Sequence, residues 1–158
     1  NSMKVLASET FTSVSAPIQH AAVAAYEKDM SKYVNSSRNI LKNVGEYVYN
    51  NLQSNKVLIS KPQGGFYLMP EFLDKKYKSS EEMCTDLLNN TGVALLPGSD
   101  FGFSKNKMIA RLSFTDFNGK EFMENFQSDK NIKVEDIEKF APKITEGTKR
   151  LKVWAESS

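Results

Sequence analysis

The sequence predicts an α+β fold: a long N-terminal helix followed by a small, mainly antiparallel sheet with helices packed on one face. Three patterns carry that expectation. Apolar residues recur at helical spacing from Ala16 to Leu52. Four short apolar or β-branched runs, set off by Gly, Pro and charged residues, lie between positions 56 and 115 with one helical stretch among them. Helical spacing then returns from Val134 to Trp154. A chain of 158 residues, 40% hydrophobic and 25% charged, fits one domain with a real core that needs no disulfide.

Asn1 and Ser2 ahead of Met3 read as a tag remnant, residues 1–3, which leaves 4–158 as the domain. Residues 4–8, KVLAS, carry no decisive pattern. Pro17 suits the first turn of a helix. Ile18, Ala22, Tyr26, Met30, Tyr33 and then Ile40, Val44, Val48 and Leu52 recur near every 3.6 residues, so helix is expected over about 16–53, with a kink near Asn35-Ser36-Ser37. KVLISK (56–61) and FYLMPEF (66–72) flank the turn PQGG and read as an antiparallel hairpin or bulged pair, the second strand stopped by Pro70. LDKKYKSS, Leu73 to Ser80, has the composition of a linker. Ser79 and Glu82 form a capping box that opens a helix over 81–90; Met83, Leu87 and Leu88 give it an apolar face and Gly92 suits its end. GVALLPG (92–98) and KMIARLSFT (107–115) are the third and fourth strands. A turn and short helix come next, over 116–126. Pro142 divides the C-terminal helical region in two.

Composition excludes several function classes. Basic and acidic residues number 21 and 19, for a net charge of +2, and the signs are mixed along the chain, so no basic stripe argues for nucleic acid. Cys84 is the single cysteine, so an intrachain disulfide is impossible, and with His20 the one histidine a Cys/His zinc site is excluded. No apolar run reaches the roughly 18 residues of a membrane-spanning helix, and no signal-peptide pattern is present. The chain reads as cytoplasmic.

Arg111 is the residue that most needs explaining. In KMIARLSFT, Met108, Ala110, Leu112 and Phe114 alternate onto one face; Ile109, Arg111, Ser113 and Thr115 take the other. Arg111 is then either a solvated arginine on an exposed sheet face or a clamp for a carboxylate, which a planar, permanently charged guanidinium binds through two parallel hydrogen bonds. LPGSDFG (96–102) is either a plain turn between strands or a loop whose glycines let backbone approach a ligand. It carries no phosphate-loop signature. Phe66 and Tyr67 are core by residue type, with a pocket-facing role as the alternative. Cys84, near the apolar side of its helix, reads as an inert buried thiol.

SAPIQHAAVAAYE (15–27), GGFYLMPEF (64–72), TGVALLPGSDFG (91–102) and ARLSFTDF (110–117), in that order, resemble the C-terminal, small domain of class I/II aminotransferases, which are fold-type-I pyridoxal-phosphate enzymes. The resemblance covers about residues 5–126. It implies that the long helix is the interdomain helix and that Arg111 binds the α-carboxylate of the substrate. It implies that Gly98, Phe101 and Gly102 belong to the PG-x-x-FG element shaping the site entrance, and that Phe66, after the paired glycines, lies near the substrate. The partners implied are amino acid and 2-oxo acid substrates, a large domain outside this segment and a second copy in a homodimer, with no nucleic acid and no membrane. The family's imine-forming lysine stands in a Ser-x-x-Lys context followed within a few residues by Gly-x-Arg-x-Gly. That combination is absent, and Lys61, Lys75 and Lys76 lack the setting. The resemblance therefore implies pyridoxal 5′-phosphate in the parent enzyme, none bound to this chain, and no activity of the chain alone. The alternatives are another fold-type-I enzyme (a synthase, lyase or decarboxylase) and a stand-alone, non-catalytic α+β binding or assembly module.

Overall fold

Polar side chains and prolines decide where the helices start. The structure, a computed structural model, describes residues 2–11, 13–126 and 130–157; Asn1 of the expected tag remnant lies outside the described residues. After α1 (Ser2–Thr10), the helix expected over about 16–53 is present but in two pieces, α2 (Ala16–Glu27) and α3 (Ser31–Leu52). The break falls at 28–30, and not at the expected Asn35-Ser36-Ser37, which lies inside α3. Asp29 accounts for this. Its carboxylate accepts the Ser31 N–H at 2.9 Å and so satisfies one of the free donors of a new helix start, while Lys28 is extended.

The chain divides into two units, Asn1–Tyr33 and Val34–Ser158. In the first, no described side chain is buried; Ile18, Tyr26 and Tyr33 of the apolar repeat are all exposed. The second holds the core. From Val34 to Leu52, α3 buries Ile40, Val44, Val48 and Leu52.

Among the described residues, five short strands come after the helix: β1 (Val57–Leu58), β2 (Tyr67–Leu68), β3 (Glu71–Phe72), β4 (Leu96–Pro97) and β5 (Ala110–Ser113). All pairings are antiparallel. β1 pairs with β3, and β5 is central in the order β2-β5-β4. The expected hairpin of 56–61 with 66–72 is thus only half realised. Pro70, which has no N–H to give, splits the second run, so that β3 returns to β1 while β2 pairs with β5. The Pro70 carbonyl accepts the Ala110 N–H at 3.1 Å and Met108 accepts from Phe72 at 2.9 Å, which keeps both halves of the bent run against β5.

α4 (Ser80–Thr91) begins and ends where its capping residues say. Ser79 accepts the Glu82 N–H, the Glu82 carboxylate accepts the Lys78 N–H at 2.8 Å, and Gly92 closes the helix at φ 71°. Met83 and Leu87 are fully buried; Leu88, expected beside them, is exposed. Residues 73–79 are no linker, because Tyr77 packs on the core, stacked 6.5 Å from Trp154, and donates to Asp86 at 2.6 Å. α5 (Gly119–Asn125), α6 (Val134–Phe140) and α7 (Pro142–Glu156) complete the unit, with Pro142 in the first turn of α7 as its fixed φ favours. Ile137, Ile144, Leu151 and Trp154 are buried as expected, whereas Val134 is exposed.

The inward residues of the sheet, among them Leu68, Phe72, Leu112 and Phe114, meet α3, α4 and α7 in one core. Each fully buried phenylalanine there, Phe72, Phe114 and Phe122, is worth roughly 1.5–3 kcal/mol of transfer free energy. The helices thus cover one face of the sheet and leave the other to the polar residues of β5. No described helix is long and apolar enough to cross a membrane.

Candidate functional site

The site forms on the uncovered face of the three-stranded sheet, around Arg111. Residues directly opposed in an antiparallel pair share a face. Tyr67 is opposite Ser113, and Leu96 is opposite Arg111, so all four present to the same side. Their burial agrees: Tyr67, Leu96 and Ser113 are exposed and Arg111 is half-buried, while Ala110 and Leu112 point to the core. The predicted alternation fails only at Ile109, which is buried. The turn after β4 lies directly across it. Gly98 N–H donates to the Ile109 carbonyl at 2.8 Å, and a Cβ on Gly98 would stand 2.9 Å from that oxygen.

Two aromatic rings grip the guanidinium. Arg111 Cζ lies 4.3 Å from the centroid of Tyr67 and 4.3 Å from that of Phe101. The rings come from opposite sides of β5, Tyr67 from β2 and Phe101 from the turn after β4. Cation–π contact of this kind is favourable by about 0.5–1 kcal/mol per ring at an exposed site. Among the described residues none gives the guanidinium a hydrogen bond or a carboxylate partner. Its edge is thus left for a ligand.

Phe101 is placed by a pinned turn. Gly98–Phe101 forms one turn of 3-10 helix, and Gly102 leaves it in the left-handed region at φ 83°, where a residue without Cβ is at ease. The turn is tied to the start of α4. Ser99 Oγ donates to Glu81 Oε1 at 2.9 Å, Ser80 Oγ donates to Ser99 Oγ at 3.3 Å, and Ser80 N–H donates to the Lys105 carbonyl at 2.9 Å. The Ser99 hydroxyl, followed by that of Ser79, holds the Glu81 carboxyl below its ordinary range.

The structure sorts the sequence-predicted residues into three roles. Arg111 and Phe101 meet directly. Gly98 and Gly102 shape the turn that carries Phe101. Phe66 packs on Tyr67, centroids 4.3 Å apart, and it is Tyr67 that touches Arg111. Neither Phe66 nor Tyr67 is core: they are 40% and 42% exposed, because Leu68 takes the inward position of β2 and leaves Tyr67 the outward one. Tyr67 takes the pocket-facing role that the sequence offers as its alternative to core, whereas Ser80, Glu81 and Ser99 are not predicted as site residues. A signal existed for Tyr67, since it alternates with Leu68, but its contact with Arg111 depends on the β2–β5 register. Cys84 is buried, and burial, followed by the charges of Asp100 and Glu81, pushes its thiol up to about 11, which leaves it a poor nucleophile.

Several lysines have partners other than Arg111's neighbours. Lys61 pairs with Glu46 at 3.0 Å, Lys143 pairs with Asp116, and Lys75 lies 4.4 Å over Trp154 while donating to the Ser157 carbonyl. Ser104 and Lys107 make a formal Ser-x-x-Lys, but within an exposed turn closed by the Lys107 N–H on the Ser104 carbonyl.

Residues 2–125 match the family described as aminotransferase class I and II. The chain is 30% identical over 118 residues to the aspartate aminotransferase of Sulfolobus acidocaldarius, covering 71% of this chain and 28% of that protein. It is 33% identical over 107 residues to the aspartate aminotransferase of Bacillus sp. strain YM-2, covering 65% and 27%. The crystal structure of aspartate aminotransferase from Thermotoga maritima matches with a TM-score of 0.61 and 25% identity, over 96% of this chain and 32% of that one. That of Rhizobium meliloti shares the fold, with a TM-score of 0.66 and 20% identity over 98% and 34%. The chain therefore spans 27–28% of the length of these two curated relatives.

Proposed function

The chain belongs to the class I and II aminotransferase family, and on that premise we propose that it is the C-terminal, small domain of such an enzyme and that Arg111 holds the α-carboxylate of the substrate. One observation supports this above the rest: a guanidinium on the central strand, on the face the helices leave free, held by two rings and lacking an acidic partner among the described residues. An arginine fixed in this way offers two parallel donors to a planar carboxylate. Because the strand is rigid, the orientation is set before the substrate arrives.

In this reading the whole protein exchanges an amino group between an amino acid and a 2-oxo acid, uses pyridoxal 5′-phosphate and works as a homodimer. The residues about Arg111 do not fit that cofactor. Tyr67, Phe101, Leu96 and Ser113 bring neither an amine for an imine nor donors arranged around a phosphate. Cofactor binding is accordingly assigned to chain beyond these 158 residues, and this chain by itself is inactive.

The test is substitution in the full-length enzyme. Arg111→Ala is expected to lower kcat/KM by about 3 kcal/mol for every amino acid substrate, and Arg111→Lys to restore only part of it, because a single ammonium cannot reproduce a bidentate pair. An unchanged kcat/KM in the alanine variant removes Arg111 from the site.

A further inference from the structure

We infer that Tyr67 and Phe101 determine which anions Arg111 prefers: flanking the guanidinium, one from each side of β5, they favour planar two-oxygen acids over tetrahedral oxyanions such as sulfonates and phosphonates. The inference rests on the proposed role of Arg111 as an anion clamp.

Three observations combine. First, each ring centroid is 4.3 Å from Cζ. A ligand atom inserted between ring and guanidinium would need contacts of about 3.5 Å on both sides, a gap of roughly 7 Å, so neither ring leaves an approach on its own side. Second, the rings are fixed rather than loosely draped. Tyr67 sits in β2, paired with Ser113 and backed by Phe66; Phe101 sits in the turn tied to α4 through Ser99 and Glu81. Third, no described side chain competes for the remaining edge.

The shape of an anion then decides whether it fits. A carboxylate lies in one plane and can place both oxygens along the open edge. A sulfonate or phosphonate that does the same has a further oxygen directed out of that plane, toward an aromatic ring. There it loses water without gaining a donor, which is costly. Tyr67 and Phe101 are therefore specificity-determining residues that act through the geometry of Arg111.

The experiment uses this chain, labelled with nitrogen-15, with the Arg111 Nε–H signal followed during titration with acetate or with methanesulfonate at constant ionic strength. Wild type is expected to favour acetate by about tenfold or more. Sulfonate is the weaker acceptor, so the diagnostic quantity is the change on removing a ring. Tyr67→Leu and Phe101→Leu, at exposed positions that leave the core intact, are expected to shrink the preference to about twofold, read as a ratio so that any loss of acetate affinity from a less firmly held arginine does not enter it. Tyr67→Phe, which keeps the ring, is expected to retain the preference.

A preference unchanged in both leucine variants overturns the inference, as does wild type binding both anions equally. Acetate binding without ring-dependent preference would leave the clamp standing and remove only the selectivity. If neither anion moves an Arg111 signal that still carries aromatic ring-current shifts, the clamp itself fails, and the selectivity with it.

Discussion

Single residues do their work here through very short distances. At Gly98 the chain crosses Ile109 so closely that an added Cβ would meet the Ile109 carbonyl oxygen at 2.9 Å and its Cβ at 3.0 Å. Backbone cannot swing aside as a flexible side chain can, so Gly98→Ala is expected to cost about 1–3 kcal/mol in urea unfolding, and to shift the Arg111 Nε–H signal because the same turn carries Phe101. An unaltered unfolding midpoint would contradict the close crossing. A Cβ added at Gly102 would meet nothing within 4 Å, so Gly102 is required for its backbone angle instead. Sequence shows two glycines in PGSDFG; it does not show that one answers to space and the other to φ. Arg111 was legible as a residue off the core face, because alternation is local. Ile109 was not, because what buries it is the turn at Gly98, brought over it by the pairing of β4 with β5.

Elements show the same division between local and distant causes. Ser79, Glu82 and Gly92 delimit α4 by chemistry contained within one short stretch, and the sequence states it fully. The break between α2 and α3 is local too, but Asp29 and the serine pair at 36–37 are comparable polar interruptions in the pattern, and the capping bond to Ser31 chose the first. The split at Pro70 depends on strand partners that no short stretch reveals. The segment between β3 and α4 yields a prediction of its own. Burial, with the neighbouring Asp86, pushes the Tyr77 phenol from its ordinary 10.0 up to about 12. A group whose value is raised in the fold stabilises it fully below the unfolded value and loses that contribution as pH rises through the folded one. Stability should then fall between pH 10 and about 12. Tyr47, raised by burial and Glu138, acts in the same direction. Comparison of urea midpoints for wild type and Tyr77→Phe isolates the Tyr77 share: wild type is expected to lose more between about pH 8 and about pH 11, and equal losses would deny Tyr77 a part.

At the scale of the whole molecule, the buried core among the described residues lies within the Val34–Ser158 unit. The assignment of cofactor binding to other chain is testable on this chain directly. Reduction with borohydride in the presence of pyridoxal phosphate is expected to label several exposed lysines, each at well under one equivalent, as read by peptide mass spectrometry; stoichiometric labelling of one lysine would show that these residues form a cofactor site after all. The bend in the second strand run also has a mechanical meaning. Met69 and Pro70 act as an elbow between two arms: β2, which carries Tyr67 and pairs with β5, and β3, which pairs with β1 and donates from Phe72 to Met108 just ahead of β5. A load on β1 reaches the ring beside Arg111 through the short backbone of that elbow, and the bonds from Phe72 to Met108, Ala110 to Pro70 and Phe114 to Phe66 oppose it in shear. The elbow thus joins the β1 edge to the ring on the arginine through two residues of backbone.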